Sequence, residues 1–394
     1  MRILFINTLY YPNQVGGAEK SVQLLAEQMY ANGHTAIVIS TSDTDSVSYI
    51  NGVKIYYLKH RNLYWGAKTK QESTVKKVLW HSLDVYNPFI KRQLDKIIDV
   101  EKPSLIHTNN LTGFSCIPWI SAKERKLPVV HTLRDYSLLC SKGTMFSGSN
   151  NCKQRCNSCS LFTNYKKKLS NEGFVQHLVG NSQFIIDRHK SNGYFNNVKS
   201  VRIFNGAEIL DKSDSKYERS NKLKFLYLGR IEESKGVNLI LDVIQNYPQI
   251  ELFLAGKVYD QKIEEGIKSG SYKKNIHFLG FIDPKEVIPQ MDAVLVPSLW
   301  HEPLARSVLE AYSFGKPVIG SNRGGNVESI IRNKTGFIFE PNDLNSLINI
   351  IDNIISSPEI LSSMNAPISE LIQGFSVSNT IEQYTEVYRE ITNF

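Results

Sequence analysis

Cysteine is scarce in this chain, with five residues in 394, and methionine and tryptophan are equally sparse at five and four. So few thiols exclude a disulfide-stapled scaffold, and stability must come from buried apolar side chains, for which a hydrophobic content of 41% is ordinary. No apolar run approaches the roughly 18 residues that cross a bilayer. The opening stretch Arg2-Ile3-Leu4-Phe5-Ile6-Asn7 has too short an apolar core for a signal peptide and reads as a first strand. A cytoplasmic protein is expected, with attachment to the inner face of the membrane left open. Zinc fingers, basic zippers and aromatic-basic ribonucleoprotein patterns are all missing, so no nucleic-acid partner is expected. Neither charge dominates: 46 basic against 38 acidic residues leave +8, which suits a phosphate-bearing substrate or an anionic membrane face. Lys76-Lys77, Lys91-Arg92 and Lys166-Lys167-Lys168 are the local basic clusters, all in the first half.

Four of the five cysteines, Cys140, Cys152, Cys156 and Cys159, crowd into a Gly-, Ser- and Asn-rich insertion at 140–168, while Cys116 stands apart. Their C-x11-C-x3-C-x2-C spacing offers a structural zinc four soft donors, two of them from one short hook. Reduced free thiols and a labile disulfide are the other readings. The insertion itself shows little periodicity and reads as a long loop.

What the chain has in quantity is alternation of apolar strands with helical patterns. Residues 2–7, the loop carrying Gly16-Gly17, a helix at 18–31 and a strand at 36–40 form the first unit of a doubly wound sheet. A helical pattern continues from the polar stretch ending at Lys77 to about Val100, and strands follow at 104–107 and 128–132. His131, Arg134 and Asp135 therefore emerge at a strand's C-terminal end, the ligand side of such a sheet. Residues 211–222 are almost wholly polar and read as a linker. Beyond them Lys224-Phe225-Leu226-Tyr227-Leu228-Gly229 repeats the strand-glycine opening, with Arg230 and Lys235 in the loop, a phosphate-cradle pattern. Further on, a strand at 293–296 leads into Trp300-His301-Glu302-Pro303-Leu304-Ala305-Arg306-Ser307-Val308-Leu309-Glu310. Pro303 suits the first position of a helix, so the amides of Leu304, Ala305 and Arg306 are expected to point at an anion, with Glu302 and Glu310 as flanking acceptors for hydroxyls. Ser378-Asn379-Thr380 reads as the cap of a last helix whose Ile381, Tyr384, Tyr388 and Ile391 share an apolar face.

Glu302 to Ala311, then Gly315-Lys-Pro-Val-Ile, then Gly324-Gly325 with Glu328, resemble the donor half of the family 4 retaining glycosyltransferases. The likeness extends to Leu228-Gly229-Arg230 with Lys235, to Asn205-Gly206 and to Gly16-Gly17. It implies an α/β GT-B fold of two Rossmann-like domains facing across a cleft: an acceptor domain at 1–205, a linker at 206–222, a nucleotide-sugar domain at 223–374 and a C-terminal helix at 375–394 crossing back to the first domain. It also implies Arg230 and Lys235 on the donor diphosphate with the amides near Leu304, Ala305 and Arg306, Gly229 in the same loop, Glu302 beside the donor sugar and Glu310 on the ribose. Glu302, Arg230, Lys235 and Asp135 would form the catalytic set, and Gly16, Gly17, His131 and Arg134 the acceptor side. No metal is needed for the implied chemistry. The implied partners are a UDP- or GDP-linked sugar and a glycan or lipid-linked acceptor in surface polysaccharide or glycoconjugate biosynthesis. The pattern breaks at Thr132-Leu133-Arg134-Asp135, where many relatives carry histidine in place of Arg134; arginine cannot serve as a base at ordinary pH. A non-catalytic scaffold of the same fold and a nucleotide-sugar epimerase are the rival readings.

Overall fold

A computed structural model describes residues 1–13, 16–66, 72–209 and 221–392. Most of the linker expected at 206–222 lies outside these described residues. The chain divides into two compact units, one made of Met1–Met145, Cys152–Gly206 and Val377–Phe394, the other of Phe146–Asn151 and Ala207–Ser376.

In the first unit the strands are β1 (Arg2–Ile6), β2 (Thr35–Ser42), β3 (Ser46–Ile50), β4 (Val53–Lys59), β5 (Leu105–Thr108) and β6 (Val129–Leu133). The chain then makes the short hairpin β7 (Phe146–Ser147) and β8 (Asn150–Asn151) before β9 (His177–Gly180) and β10 (Lys199–Arg202). Eight of these form one sheet in the order β10-β9-β6-β5-β1-β2-β4-β3, parallel throughout except for β3 against β4. Central strands of a parallel sheet are covered on both faces, which is why Ile3, Leu4, Phe5 and Ile6 run as an unbroken apolar stretch and are all fully buried. The helical pattern expected to run unbroken to Val100 is two helices, Thr74–Leu83 and Pro88–Glu101. Pro88 starts the second, and the Asn87 side chain accepts the amides of Phe89 and Ile90, so a capped start replaces continuity.

The last helix, Val377–Thr392, sends Ile381, Tyr384, Val387 and Tyr388 into the core of this unit, against Val22, Leu25 and Met29. Each such side chain contributes roughly 1.5–3 kcal/mol by leaving water. Polar bonds fix the register: Tyr388 Oη lies 2.6 Å from His107 Nδ1, and Thr132 Oγ1 lies 2.7 Å from His107 Nε2. The helix begins at Val377, one residue ahead of the expected Ser378-Asn379-Thr380 cap, and Thr380 is buried instead.

The last part of the cysteine-bearing insertion, expected as loop, is the helix Asn157–Ser170. Its inward face carries Cys159, Thr163, Lys166 and Ser170, too polar to register as an amphipathic stripe. Lys166 is satisfied by a buried ion pair to Asp84 at 3.2 Å, and Asp84 also accepts the Gly113 amide at 2.7 Å.

The second unit holds β11 (Leu223–Leu228), β12 (Ile250–Ala255), β13 (Ile276–Gly280), β14 (Ala293–Val296), β15 (Val318–Ser321) and β16 (Gly336–Phe339), all parallel, in the order β13-β12-β11-β14-β15-β16. Strand order reverses between β11 and β14, whose Phe225 and Ala293 are paired. At such a switch point the loops from neighbouring strands part to opposite faces and leave a crevice at their C-terminal ends.

Candidate active site

The loops after β11, β14 and β15 meet at that crevice. The turn after β11 carries Gly229, Arg230, Ser234 and Lys235; its main chain at Ser234 accepts the amides of Leu299 at 2.9 Å and Trp300 at 3.2 Å. Gly236 closes this turn with φ +71°, and a Cβ there would sit 1.9 Å from the Pro297 carbonyl, so no other residue fits without moving the loop after β14. From β15, Gly324 plays the same part: φ is +60°, and an added Cβ would lie 2.0 Å from the Glu302 carbonyl, which accepts the Gly325 amide at 2.8 Å.

These contacts hold Glu302 in place. Its side chain is nearly buried, one oxygen receiving Lys235 Nζ and the other the Ser298 hydroxyl at 2.6 Å. Lys235 also stands 5.3 Å from the Trp300 ring centroid, a cation–π contact. Ser298 is itself tied down, its carbonyl accepting from Ser321 Oγ at 2.6 Å. Burial, with the Glu302 and Glu232 carboxylates close by, holds the Tyr227 phenol well above its ordinary range, and its hydroxyl donates to the Arg230 carbonyl at 2.6 Å. Arg230 pairs with Glu232 at 3.1 Å and is the more exposed of the two cations in the loop.

The helix at this site runs from Arg306 to Ser313, three residues later than Pro303 suggested. Ala305 is extended at the N-cap position, and its amide is taken by Asn326 Oδ1 at 2.8 Å. Glu302, Pro303 and Leu304 are therefore loop, and the expected anion-binding amides of Leu304 and Ala305 precede the helix; its N-terminal N–H groups begin at Arg306. Glu310 lies one turn in and accepts from Arg306 Nε at 3.1 Å. Ser298, Trp300 and Asn326 carried no signal in the periodicity, since each acts through a single side-chain contact, Ser298 on the Glu302 carboxylate, Trp300 on the Lys235 ammonium and Asn326 on the Ala305 amide.

A further missed residue is Asn151, from the hairpin β7–β8. Its amide nitrogen donates to the Leu299 carbonyl at 2.7 Å and its oxygen accepts from the His301 amide at 2.7 Å, a two-pronged hold on the loop just ahead of Glu302. Ser149 on the same hairpin donates to Glu233, two residues before Lys235.

In the first unit Gly16 caps the helix Gly17–Ala31, its amide donating to Glu19 at 2.9 Å. Arg134 is held by Asn109 Oδ1 at 2.8 Å and by Asn205, and Asp135 by Asn110 and the Ser137 amide. Arg134 lines a pocket of about 10 Å³ with Ser21, Asn205, Gly206, Thr380 and Tyr384, too small for a sugar. The expectation that His131 faces an acceptor is overturned. It is 3% exposed, packed on Trp119 and Phe195, and bonded to Thr108 at 2.9 Å, with burial pushing its pKa down to about 3. The imidazole is thus a packed, hydrogen-bonded group of the core rather than a surface group. Among the described residues, no group of three or more His, Cys, Asp or Glu is placed to hold a metal ion.

The family description Glycosyltransferase Family 4 matches residues 15–208, and Glycosyl transferases group 1 matches residues 210–368. The chain belongs to the family 4 glycosyltransferases. It is 32% identical over 398 residues to an uncharacterised 42.6 kDa protein in the cps region of Klebsiella pneumoniae, covering 99% of this chain and 100% of that one. Among solved structures, Anabaena HepE in complex with UDP superposes on this glycosyltransferase with a TM-score of 0.72 at 19% identity, covering 99% of this chain and 100% of HepE. Sucrose-phosphate synthase from Thermosynechococcus elongatus gives a TM-score of 0.76 at 18% identity, with 99% and 98% covered. The two sheets of this chain are thus those of the two Rossmann-like domains of a GT-B fold.

Proposed function

We propose that the protein is a retaining glycosyltransferase that moves a sugar from a nucleotide diphosphate donor, UDP- or GDP-linked, to a glycan or lipid-linked acceptor during surface polysaccharide synthesis. The observation that carries this reading is the Lys235–Glu302–Ser298 constellation at the switch point, with Arg230 and the helix N-terminus at Arg306 beside it. Bond cleavage puts negative charge on the leaving diphosphate, and preorganised cations and amides at that spot stabilise it without reorganising. Glu302, its two oxygens already oriented by donors, sits where a donor hydroxyl or the developing positive charge on the sugar ring is met. Glu310 serves the ribose. UDP in HepE and the cps-region origin of the Klebsiella relative support the donor class and the pathway. Incubation with UDP- and GDP-sugars, with release of free nucleotide followed and product anomeric configuration read by NMR, tests the assignment; no nucleotide release from any donor, or an inverted product, overturns it.

The acceptor reading draws on a surface of the first unit. Val75, Val78 and Leu79 on the helix Thr74–Leu83 and Phe89 on the helix Pro88–Glu101 are exposed, and Phe89 shares an open depression with Arg61, Arg92 and Lys96. Apolar side chains interleaved with cations suit an anionic bilayer face. No helix among the described residues is long and apolar enough to cross a membrane. Co-sedimentation with anionic but not zwitterionic vesicles, lost on combining Phe89→Ser with Arg92→Glu, is expected; equal binding to both vesicle types refutes this part.

A further inference from the structure

Four thiols that the transferase chemistry does not use gather in the first unit. Cys140 and Cys159 are buried, Cys152 is half-buried and Cys156 is exposed, and none is in a disulfide. Cys159 is close enough to Cys140 and Cys156, and Cys152 to the same two, for the thiols to influence one another's ionisation. Lys142 and Arg188 border the group on the Cys152 side.

Within this group one pair is set apart by its position. Cys156 is the N-cap of the helix Asn157–Ser170, and Cys159 follows within its first turn, facing inward. The Cys156 sulfur lies 3.2 Å from Ser158 Oγ and is approached by the backbone amides of Ser158 and Cys159. A hydroxyl, two amides and the positive end of a helix therefore converge on one exposed sulfur, and a second sulfur waits beside it away from solvent. That is the division of labour between an attacking and a resolving thiol.

We propose that Cys156 and Cys159 form a thiol–disulfide exchange site that accepts low-molecular-weight disulfides. The Cys156 thiolate attacks one sulfur of the disulfide; a Cys156–S bond forms as the S–S bond breaks, and the departing thiolate takes a proton from solvent. Cys159 then gives its proton to solvent and attacks the Cys156 sulfur, expelling the second thiolate, which is protonated in turn. The two protein thiols are oxidised by two electrons, and the small disulfide is reduced to two thiols. The converging donors favour the thiolate form of Cys156, whereas burial disfavours that of Cys159. Cys156 is thus the attacking thiol, and Cys159 the one that resolves the mixed disulfide.

Oxidised glutathione added to the full-length protein, followed by intact mass and non-reducing peptide mapping, tests this. A Cys156–Cys159 disulfide is expected in the native sequence. Cys159→Ser should instead accumulate a glutathionyl adduct on Cys156, and Cys156→Ser should react at least about tenfold more slowly. Iodoacetamide should label Cys156 faster than Cys152. Unchanged thermal melts of both variants separate chemistry from misfolding. The proposal is overturned if Cys156 labels no faster than Cys152, if Cys159→Ser traps no adduct, or if the purified protein carries stoichiometric zinc that is released when these thiols are alkylated.

Discussion

Replacing Lys235 with methionine keeps the length of the side chain and its packing on Trp300 while deleting the cation that meets Glu302. Two losses follow, and they can be separated. Lys235 and Glu302 are 15% and 12% exposed, so the variant leaves a nearly buried carboxylate with Ser298 as its remaining side-chain donor. Orphaning one partner of a buried pair costs about 3–5 kcal/mol, and the surviving Ser298 bond places this case at the lower end. At roughly 2–4 °C per kcal/mol for a unit of this size, the melting temperature should drop by about 6–12 °C, leaving the protein folded at 25 °C. If Lys235 also meets the leaving diphosphate, turnover should fall by a further 10²–10³-fold, about 2.7–4 kcal/mol of transition-state stabilisation, with much less change in donor KM. Adding Glu302→Gln removes the orphaned charge, so the double variant should recover most of the melting temperature and none of the turnover. Nucleotide release by chromatography and a thermal melt on the three proteins decide the matter. A loss of turnover below about tenfold in Lys235→Met, or its recovery in the double variant, would show that the cation serves only to neutralise Glu302 and would refute the role assigned to it.

Asn151→Ala removes both bonds to the loop ahead of Glu302, and at about 1 kcal/mol per bond donor KM should rise roughly 5–30-fold with little change in melting temperature; an unchanged KM would make the hairpin a bystander. Tyr388→Phe leaves His107 Nδ1 without the hydroxyl it now bonds, and should destabilise the first unit by about 1–3 kcal/mol in a urea titration; a shift under about 0.5 kcal/mol would remove this bond from those fixing the last helix. Burial holds His131 at about 3 and His189 at about 4. The unfolded chain binds protons at both from about pH 6.5 downward while the folded chain does not, so their stability contribution is present above 6.5 and is lost as pH falls toward 4, by up to about 1.4 kcal/mol per pH unit each. Calorimetry between pH 7 and 5 should show a falling melting temperature that falls less steeply in His189→Phe; a flat native profile would contradict it.

The second unit's site was legible in sequence where a single stretch carries the physics. Parallel strands buried on both faces must be continuously apolar, so Ile3–Ile6 and Ala293–Val296 announce themselves, and Gly324 and Gly236 are punctuation at positions where an added Cβ would collide with the backbone at 2.0 and 1.9 Å. Legibility failed where satisfaction comes from far away. Pro303 is a sound local signal for a helix start, yet the start lies at Arg306 because the Ala305 amide finds its acceptor on Asn326, 21 positions on, and that bond costs nothing in local propensity. The insertion helix was hidden because Lys166 on its buried face is neutralised by Asp84, 82 positions earlier, so a residue that reads as solvated is interior. His131 is the converse case: a strand-end position that reads as ligand-facing is sealed by Trp119 and Phe195, whose proximity no spacing rule encodes. All three failures share one cause. A local pattern states what a segment prefers when its polar groups must be satisfied by neighbours in sequence, and a doubly wound sheet brings loops from distant strands to one edge, where a single asparagine or aspartate supplies the missing partner. The residues positioning Glu302 are of this kind, Asn151 most of all, 150 positions from the His301 amide it accepts. Substitutions at such positions should therefore alter donor binding while leaving each local element intact, and the Asn151→Ala measurement separates that outcome from simple destabilisation.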